Sequence, residues 1–328
     1  MKRRIFMGGA SVAALASTSG LAPAWSQARI GGDVHFYCGF APGGTADLLC
    51  RILADAVTPE VGQKVIVDTK TGASGFIANE TVANAPPDGR TIGLAAMAAM
   101  CVAPVMPGQK LPINVDTDLT PIANIAGVYN MLVFGKHVPF RTVPELIEQA
   151  KKNPGKLSYA SAGNGTSQHL AGELFQKMAG VKLLHVPYRG GAPAIQDMVA
   201  GNCDMMFGNM PEFLGQIRGG GLRAIGYGAD SASPLLPEVP VISRTGLKDF
   251  VIHNWFGIVG PAGMSPEMVK RWNDELMKAV SSPELKQKFA DNGLQIVAGT
   301  KEQFDKEIAE DRAKWGKIIK DFNIKPEN

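Results

Sequence analysis

Short apolar segments alternate with helical patterns from residue 157 to residue 229, and this alternation restricts the possible fold more than any other feature of the chain. Strands are predicted near residues 157–160, 183–186, 203–207 and 224–228. Helices are predicted between them, near residues 168–179, 193–200 and 211–218. Strands that alternate with helices of this length are typical of a parallel sheet. We therefore expect this segment to form a compact α/β unit of its own.

An earlier stretch combines a strand, a glycine turn and the start of a helix. The run Phe40-Ala-Pro-Gly-Gly-Thr-Ala-Asp47 lies between a buried strand at 34–38 and apolar residues at helical spacing, with Thr45 as the expected N-cap. Several backbone N–H groups point into one concavity at such a turn, and the helix dipole attracts an anion there. The simpler interpretation is that the glycines only make a tight turn.

A second loop of the same kind runs from Ser161 to Ser167, with Thr166 or Ser167 as the expected N-cap. Ligands of parallel α/β sheets bind at the carboxyl ends of the strands, where both loops would lie. The two loops together therefore predict one binding site for a carboxylate.

The chain is expected to leave a first lobe and return to it. Residues 29–130 and 255–328 are assigned to lobe 1, and residues 131–254 to lobe 2, because the helices after residue 265 have no sheet of their own to cover. Two crossings place a cleft between the lobes, with hinges expected near residues 129–136 and 250–256. A solute that bridges the lobes would then shift an open–closed equilibrium.

The first 28 residues have the pattern of a secretory signal. Lys2, Arg3 and Arg4 precede an apolar run to about residue 21, and small residues offer cleavage sites after Ala24 or Ala28. The twin arginines suggest the twin-arginine export route. The alternative, a membrane anchor, is disfavoured because the apolar run is short for a span. We expect a periplasmic protein.

The charge balance argues against a nucleic-acid or polybasic membrane partner. Removal of residues 1–28 takes away three of the 33 Lys and Arg residues and none of the 30 Asp and Glu residues. The remaining chain is therefore formally neutral, which disfavours both classes of partner.

No motif indicates an enzyme, a cofactor or a metal. The sequence has neither the G-x-S-x-G nor the G-x-x-x-x-G-K-[ST] motif, and its five histidines lack metal-ligand spacing. The four cysteines contain no C-x-x-C pair, so we expect no disulfide.

Motifs along nearly the whole chain, from about residue 34 to about residue 319, resemble the Bug/TctC family of extracytoplasmic solute receptors of tripartite tricarboxylate transporters. Besides residues 40–47 and 154–165, the matching motifs are Ala85-Pro-Pro-Asp-Gly89, His169-Leu-Ala-Gly-Glu-Leu174, His185-Val-Pro-Tyr-Arg-Gly190, Asp204-Met-Met-Phe207, Trp255-Phe-Gly257 and Pro261-Ala-Gly263. The resemblance implies an α/β, two-lobed periplasmic-binding-protein fold with two chain crossovers, which closes over a carboxylate in the cleft. It also implies membrane permease subunits as partners of a monomeric receptor. A ligand-loaded partner of a membrane sensor, or an exported hydrolase, are the alternatives.

The family resemblance also implies which residues hold the carboxylate, through loop amides and hydroxyls. The corresponding positions here are Gly43, Gly44, Thr45, Asn164, Gly165, Thr166 and Ser167. Asn209 follows the strand at 203–207, where a polar residue can face the cleft. Phe40 and Ser161, which begin the two loops, complete the predicted ligand-binding set of the lobes.

The segment Ala95-Ala-Met-Ala-Ala-Met-Cys101 departs from many relatives, which have small polar residues or a histidine there. If it faces the cleft, it favours a ligand with an apolar or aromatic body, and Met97 is the residue expected to contact it. The alternative is that the segment only packs in the core.

Overall fold

The computed structural model describes residues 30–325, so the predicted signal peptide lies outside the described residues. The strands of this range are β1 (Val34–Cys38), β2 (Val65–Thr69), β3 (Thr91–Ala96), β4 (Leu119–Gly135), β5 (Ser158–Ser161), β6 (Leu184–Pro187), β7 (Met205–Asn209), β8 (Leu222–Tyr227), β9 (His253–Pro261) and β10 (Gln295–Ile296). Its α-helices are α1 (Thr45–Val61), α2 (Phe76–Ala83), α3 (Val143–Lys152), α4 (Ser167–Ala179), α5 (Gly191–Ala200), α6 (Met210–Arg218), α7 (Pro266–Ser281), α8 (Pro283–Asp291) and α9 (Lys301–Asp321). The predicted alternation of strands and helices at 157–229 is confirmed.

The first sheet has the strand order β2-β1-β3-β9-β4, with β10 also paired to β4. Strands β2, β1 and β3 run parallel, whereas β9 lies antiparallel to both β3 and β4. Helices α1, α2 and α7 pack on these strands. The last helix, α9, also packs on β4. Because β1 begins the described chain and α9 ends it, both ends of the described chain belong to this half.

The second sheet has the order β8-β4-β7-β5-β6. Strands β7, β5 and β6 run parallel, as the alternation of short strands and helices predicts. The two sheets share β4: its residues 119–129 pair with β9, and its residues 130–135 pair with β7 and β8. The architecture is the predicted two-lobed α/β fold.

The two chain segments that pass between the sheets lie side by side. The Asn130 N–H on β4 donates to the carbonyl of Ile252, just before β9, at 3.0 Å. The Gly228 N–H donates in turn to the Asn130 carbonyl at 2.8 Å. The backbone is therefore hydrogen-bonded at the place where the lobes join.

Local signals for helix starts are mostly correct. Thr142 with Glu145 and Thr300 with Gln303 both form the expected capping boxes. The N-cap of α4 is Thr166, one of the two predicted residues. The prediction that Thr45 caps α1 is wrong, because Gly44 is the N-cap and Thr45 is the first helical residue.

The four cysteines, Cys38, Cys50, Cys101 and Cys203, are free and buried. In the described part of the chain, no helix is both long enough and apolar enough to span a bilayer.

A glycine on β9 allows close packing between the first sheet and α9. A Cβ atom at Gly257 would lie 2.2 Å from the Phe304 ring and 2.9 Å from the Ala123 carbonyl oxygen. We expect Gly257→Ala to lower the free energy of unfolding by about 1–3 kcal/mol, because the ring must move or the strand must shift. Urea unfolding of the protein without residues 1–28 measures this change.

Gly215→Ala is the matched control for this substitution. Gly215 is an exposed residue of α6 with nothing within 4 Å of the added Cβ. Alanine there should raise stability by about 0.5–1 kcal/mol, since it lowers the entropy of the unfolded chain. Equal effects of the two substitutions would contradict the packing argument.

Candidate ligand-binding site

One cavity between the lobes lies where four helices begin. It has about 400 Å³ of space between its lining atoms, part of it open to solvent. Its wall includes residues from the first turns of α1, α4 and α6 and the first residue of α5. Since the N-terminus of a helix presents unpaired N–H groups and the positive end of a dipole, the arrangement favours negative charge and hydrogen-bond acceptors in the cavity.

Six of the residues predicted from the sequence line this cavity. They are Phe40, Gly44, Thr45, Thr166, Ser167 and Asn209. They come from both glycine loops and from the end of β7, so the structure brings these three predicted parts of the site together.

Two predicted glycines instead use their amides to hold the loops. The Gly43 N–H donates to the Asp47 carboxylate at 3.0 Å, and Asp47 also pairs with Arg51 at 3.0 Å. The Gly165 N–H donates to Nδ1 of His169 at 3.1 Å. Neither glycine lines the cavity, and each amide stabilises the turn before its helix.

Ser161 and Asn164 also lie outside the cavity wall. The Ser161 hydroxyl is 2.7 Å from Nε2 of His185 and accepts the Gly163 N–H at 3.1 Å. Asn164 lines an adjoining cavity of about 600 Å³, and its carbonyl accepts a 2.6 Å hydrogen bond from the Ser74 hydroxyl. Both residues shape the second loop, and Asn164 connects it to the first lobe.

The structure corrects the expected placement of Met97. Its side chain is fully buried in the core, and its sulfur accepts the indole N–H of Trp315 at 3.1 Å. Ala96 and Ala98 line the cavity in its place. Two alanines of the segment 95–101 therefore line the cavity, whereas its two methionines, Met97 and Met100, are buried in the core.

The sequence prediction missed several lining residues. They are Ala46, Ala96, Ala98, Ala162, Gln168, Gly191, Glu212, Asn254 and Phe256. Glu212 is the most consequential, because it brings a carboxylate into a cavity predicted to bind one. Pro211 before it indicates a helix start, where an acidic residue is common, but this local signal does not point to a binding site.

The Glu212 carboxylate connects the two lobes. Its Oε1 accepts the Thr45 hydroxyl at 2.9 Å and the Thr45 N–H at 3.5 Å, both from the first lobe. From the second lobe, Oε1 accepts the Asn209 amide at 3.2 Å, and Oε2 accepts the Gln168 amide at 3.0 Å. Thr45 therefore donates across the cleft instead of capping its own helix.

Burial raises the pKa of the Glu212 carboxyl from its ordinary value of 4.5 to about 7. The hydrogen bonds from Thr45, Asn209 and Gln168 oppose this rise because they stabilise the charged form. All of these donors are neutral. The carboxyl group therefore changes its protonation state close to neutral pH.

Two further contacts fix the position of this carboxylate. Oε1 of Gln168 accepts the Ala162 N–H at 2.6 Å, which directs its amide nitrogen to Glu212. A Cβ at residue 191 would lie 2.6 Å from the carboxyl carbon of Glu212, so a larger residue there would require the carboxyl group to shift. The carboxylate is thus held by specific donors and by a close backbone contact.

A chain of buried amides continues from Glu212 to the strands that join the lobes. Oδ1 of Asn209 accepts the Asn130 amide at 2.9 Å and the Asn254 amide at 3.4 Å. Asn130 is on β4, and Asn254 is on β9. The cavity is therefore connected by hydrogen bonds to both crossing segments.

Within residues 30–325, no group of three or more His, Cys, Asp or Glu side chains is arranged to hold a metal ion.

Comparisons with known proteins identify the family of similar chains. A family profile described as "Tripartite tricarboxylate transporter family receptor" matches residues 49–324. The "UPF0065 protein in tcbD-tcbE intergenic region" of Pseudomonas sp. (strain P51) is 36% identical over 87% of this chain and 84% of its own length.

Two solved structures have the same fold as this chain. One is "R. palustris Rpa4515 with adipate", with a TM-score of 0.87 and 28% identity over 90% of this chain and 99% of the other. The other is "Structure of periplasmic binding protein BugD", with a TM-score of 0.85 and 28% identity over 90% and 98%. These similarities confirm the periplasmic-binding-protein fold.

The position of Glu212 predicts a pH-dependent contribution to stability. Because its pKa in the folded protein is about 7 and its ordinary value is 4.5, the folded protein keeps a proton that the unfolded chain releases between these pH values. This contribution is fully present below pH 4.5 and is lost as the pH rises through 7. The loss amounts to about 3 kcal/mol.

Urea unfolding of the wild type and of Glu212→Gln at pH 4.5, 6 and 8 measures this contribution. The stability of the wild type relative to the variant should fall steadily with pH. Glu238→Gln, at an exposed residue, should keep a constant difference from the wild type. Parallel pH profiles for the wild type and Glu212→Gln would show that the carboxyl titrates normally.

Proposed function

Because the chain belongs to the Bug/TctC family of tripartite tricarboxylate transporter receptors, we propose that it captures a small carboxylate-bearing solute between its lobes and presents it to the membrane permease of such a transporter. The observation that carries the proposal is the convergence of four helix N-termini, from both lobes, on one cavity. Such a site binds an anionic or acceptor group without a cationic side chain.

The location of the cavity supports capture by closure of the lobes. We assign residues 29–130 and 255–328 to one lobe and residues 131–254 to the other. Contacts across the cleft include the Ala41 N–H to the Arg189 carbonyl at 3.0 Å and Thr45 to Glu212 at 2.9 Å. A solute that contacts both walls would add interactions only in the closed form, which shifts the population towards it.

The apolar part of the wall supports a solute with a hydrocarbon body. Phe40, Phe256, Ala96 and Ala98 face the same cavity as the polar groups. An aliphatic chain or an aromatic ring would both bury apolar surface there. A structural relative was solved with adipate, which has two carboxylates joined by an aliphatic chain. We propose a carboxylate of this size, with an aromatic acid as the finer alternative.

Receptors of this family are periplasmic, and we propose the same compartment for this protein, with residues 1–28 as the export signal. We also propose that it acts as a monomer, since one chain supplies both walls of the cavity.

A thermal-shift screen of the protein without residues 1–28 tests this function directly. The compounds are adipate, shorter dicarboxylates, benzoate and its ring-substituted forms, and the matching amides. A ligand present at one hundred times its dissociation constant adds about 2.7 kcal/mol of stability, which raises the melting temperature by several degrees. No shift with any of these compounds would overturn the proposal.

An uptake assay tests the transport role. Cells that lack the permease subunits should lose uptake of the identified solute while they keep the receptor. The sensor role predicts a different result: uptake would be unchanged in cells that lack the permease subunits. Cells that lack a membrane sensor would instead lose their transcriptional response to the solute.

Gly44 offers a test of the helix N-termini as the anion site. Its φ of −91° suits any residue, and an added Cβ would have only ordinary contacts of 3.7–3.9 Å. We expect Gly44→Ala to change the affinity for the solute less than about threefold. Gly44→Asp should reduce it at least about 100-fold, because it brings a like charge to the N-terminus of α1.

Calorimetric titration of both variants with the solute found in the screen measures this difference. Gly44→Ala controls for the added Cβ, since it differs from Gly44→Asp by the carboxylate alone. Retained affinity in Gly44→Asp would place the anionic group of the solute elsewhere.

A further inference from the structure

Glu212 adds a hydrogen-bond acceptor to a cavity wall that otherwise presents donors from the helix starts. Oε1 of Glu212 accepts hydrogen bonds from Thr45, Gln168 and Asn209, whereas Oε2 accepts one from Gln168. A carboxylate oxygen has two lone pairs, so Oε2 keeps acceptor capacity. Glu212 itself lines the cavity.

We propose that Glu212 makes this site selective for a head group that places a hydrogen-bond donor beside a carbonyl oxygen, namely a primary carboxamide or a carboxyl that carries a proton. The carbonyl oxygen would accept N–H groups from the first turns of the helices, and the donor would meet Oε2 of Glu212. This inference rests on the proposed function and specifies the form in which the solute binds.

The donors around Glu212 explain why a bare carboxylate is disfavoured beside it. Thr45, Gln168 and Asn209 are its hydrogen-bond partners in the described part of the chain, and all three are neutral. A second carboxylate at Oε2 would have no cation to share with the first. Two carboxylates in such contact retain one proton between them.

Charged side chains on the surrounding elements do not change this conclusion. Helices α1 and α4 carry Asp47, Arg51 and His169 in their first two turns, and the strands β4 and β8 carry Tyr129, Arg223 and Tyr227. Asp197 and Arg218 lie near the ends of α5 and α6.

Four of these charged groups, Asp47, Arg51, Asp197 and Arg223, have partners other than Glu212. Asp47 and Arg51 pair with each other, Arg223 donates to the Val138 and Phe140 carbonyls, and Asp197 accepts from Tyr188. The Glu212 charge is therefore compensated by neutral donors and helix dipoles.

Glu212 is also too well held to leave the site easily. Displacement would break its contacts with both lobes, and the space beside it is limited by Gly191, whose Cβ position lies 2.6 Å from Oε2. The buried Thr45 and Gln168 would then lose an acceptor, which is unfavourable. A solute is accordingly expected to bind next to Glu212 and not in its place.

The titration behaviour of Glu212 makes the inference measurable. Its pKa of about 7 means that most of the carboxyl is protonated at pH 5.5 and ionised at pH 8.5. At pH 5.5, a carboxylate ligand can therefore share the proton that Glu212 already carries. At pH 8.5, the ligand and Glu212 must together take up one proton from solvent. An amide needs no such proton, because its N–H₂ donates to the ionised form.

Calorimetric titration of the wild-type protein without residues 1–28 tests this inference at pH 5.5 and 8.5. Two pairs of an acid and its amide are compared: adipate with adipamide, and benzoate with benzamide. The acid that binds should lose at least tenfold in affinity at pH 8.5. Its binding heat in phosphate and in Tris at this pH should reveal the uptake of close to one proton. The amide should not lose affinity as the pH rises.

Glu212→Gln supplies the second arm of the test. Its amide can donate to a bare carboxylate at any pH, so the variant should bind the acid at least tenfold more tightly than the wild type at pH 8.5, without proton uptake. It should bind the amide at least fivefold more weakly, because the anionic acceptor is gone. Glu238→Gln, at an exposed position, should behave like the wild type.

The outcomes separate this inference from the proposed function. If the wild type binds an acid tightly with an affinity that does not change with pH, and takes up no proton, the inference is overturned. The proposal that the protein is a carboxylate receptor would then stand. This result needs no variant and therefore does not depend on the folding of Glu212→Gln. Absence of binding by every acid and amide to both proteins would overturn the proposed function, and the inference with it.

Discussion

A chain of buried amides ties the shape of the cavity to the way in which the two lobes join. Asn209 accepts hydrogen bonds from Asn130 and Asn254, which lie on the two crossing strands, and it donates to Glu212. All three asparagines are almost completely buried, so a lost hydrogen bond there would not be replaced easily by water. A rotation of one lobe against the other must therefore preserve or rearrange this chain, and the position of the Glu212 carboxylate depends on the result.

Features that depend on neighbours in sequence were predictable. The alternation at 157–229, the capping boxes at Thr142 and Thr300, and the two glycine loops follow from residues within a few positions of each other. Their position at one end of the strands follows from the general geometry of parallel α/β sheets. This is why six of the predicted residues, including Gly44 and Ser167, line one cavity.

Features that depend on distant segments were not predictable from the same patterns. Threonine is a common N-cap residue, but the Thr45 hydroxyl donates to Glu212, 167 positions later in the chain. Met97 has an apolar side chain that would suit the wall of a cavity, yet it packs in the core, where the Trp315 indole on α9 donates to its sulfur. Gly43 and Gly165 have the right type for anion binding, but Asp47 and His169 already accept their amides. The residue type alone does not say which partner is nearer.

The close contact between Gly191 and Glu212 has an evolutionary consequence. A side chain at position 191 would enter the space of the Glu212 carboxyl group, so a larger residue at 191 requires this group to move or to be absent. A receptor of this fold that acquires a larger residue at 191 must displace the carboxyl group of residue 212 or replace the glutamate, and either change alters the acceptor of the cavity wall. Glycine at 191 thereby permits the position that the Glu212 carboxyl group has in this cavity, and the solute contacts that depend on this position depend on the glycine as well.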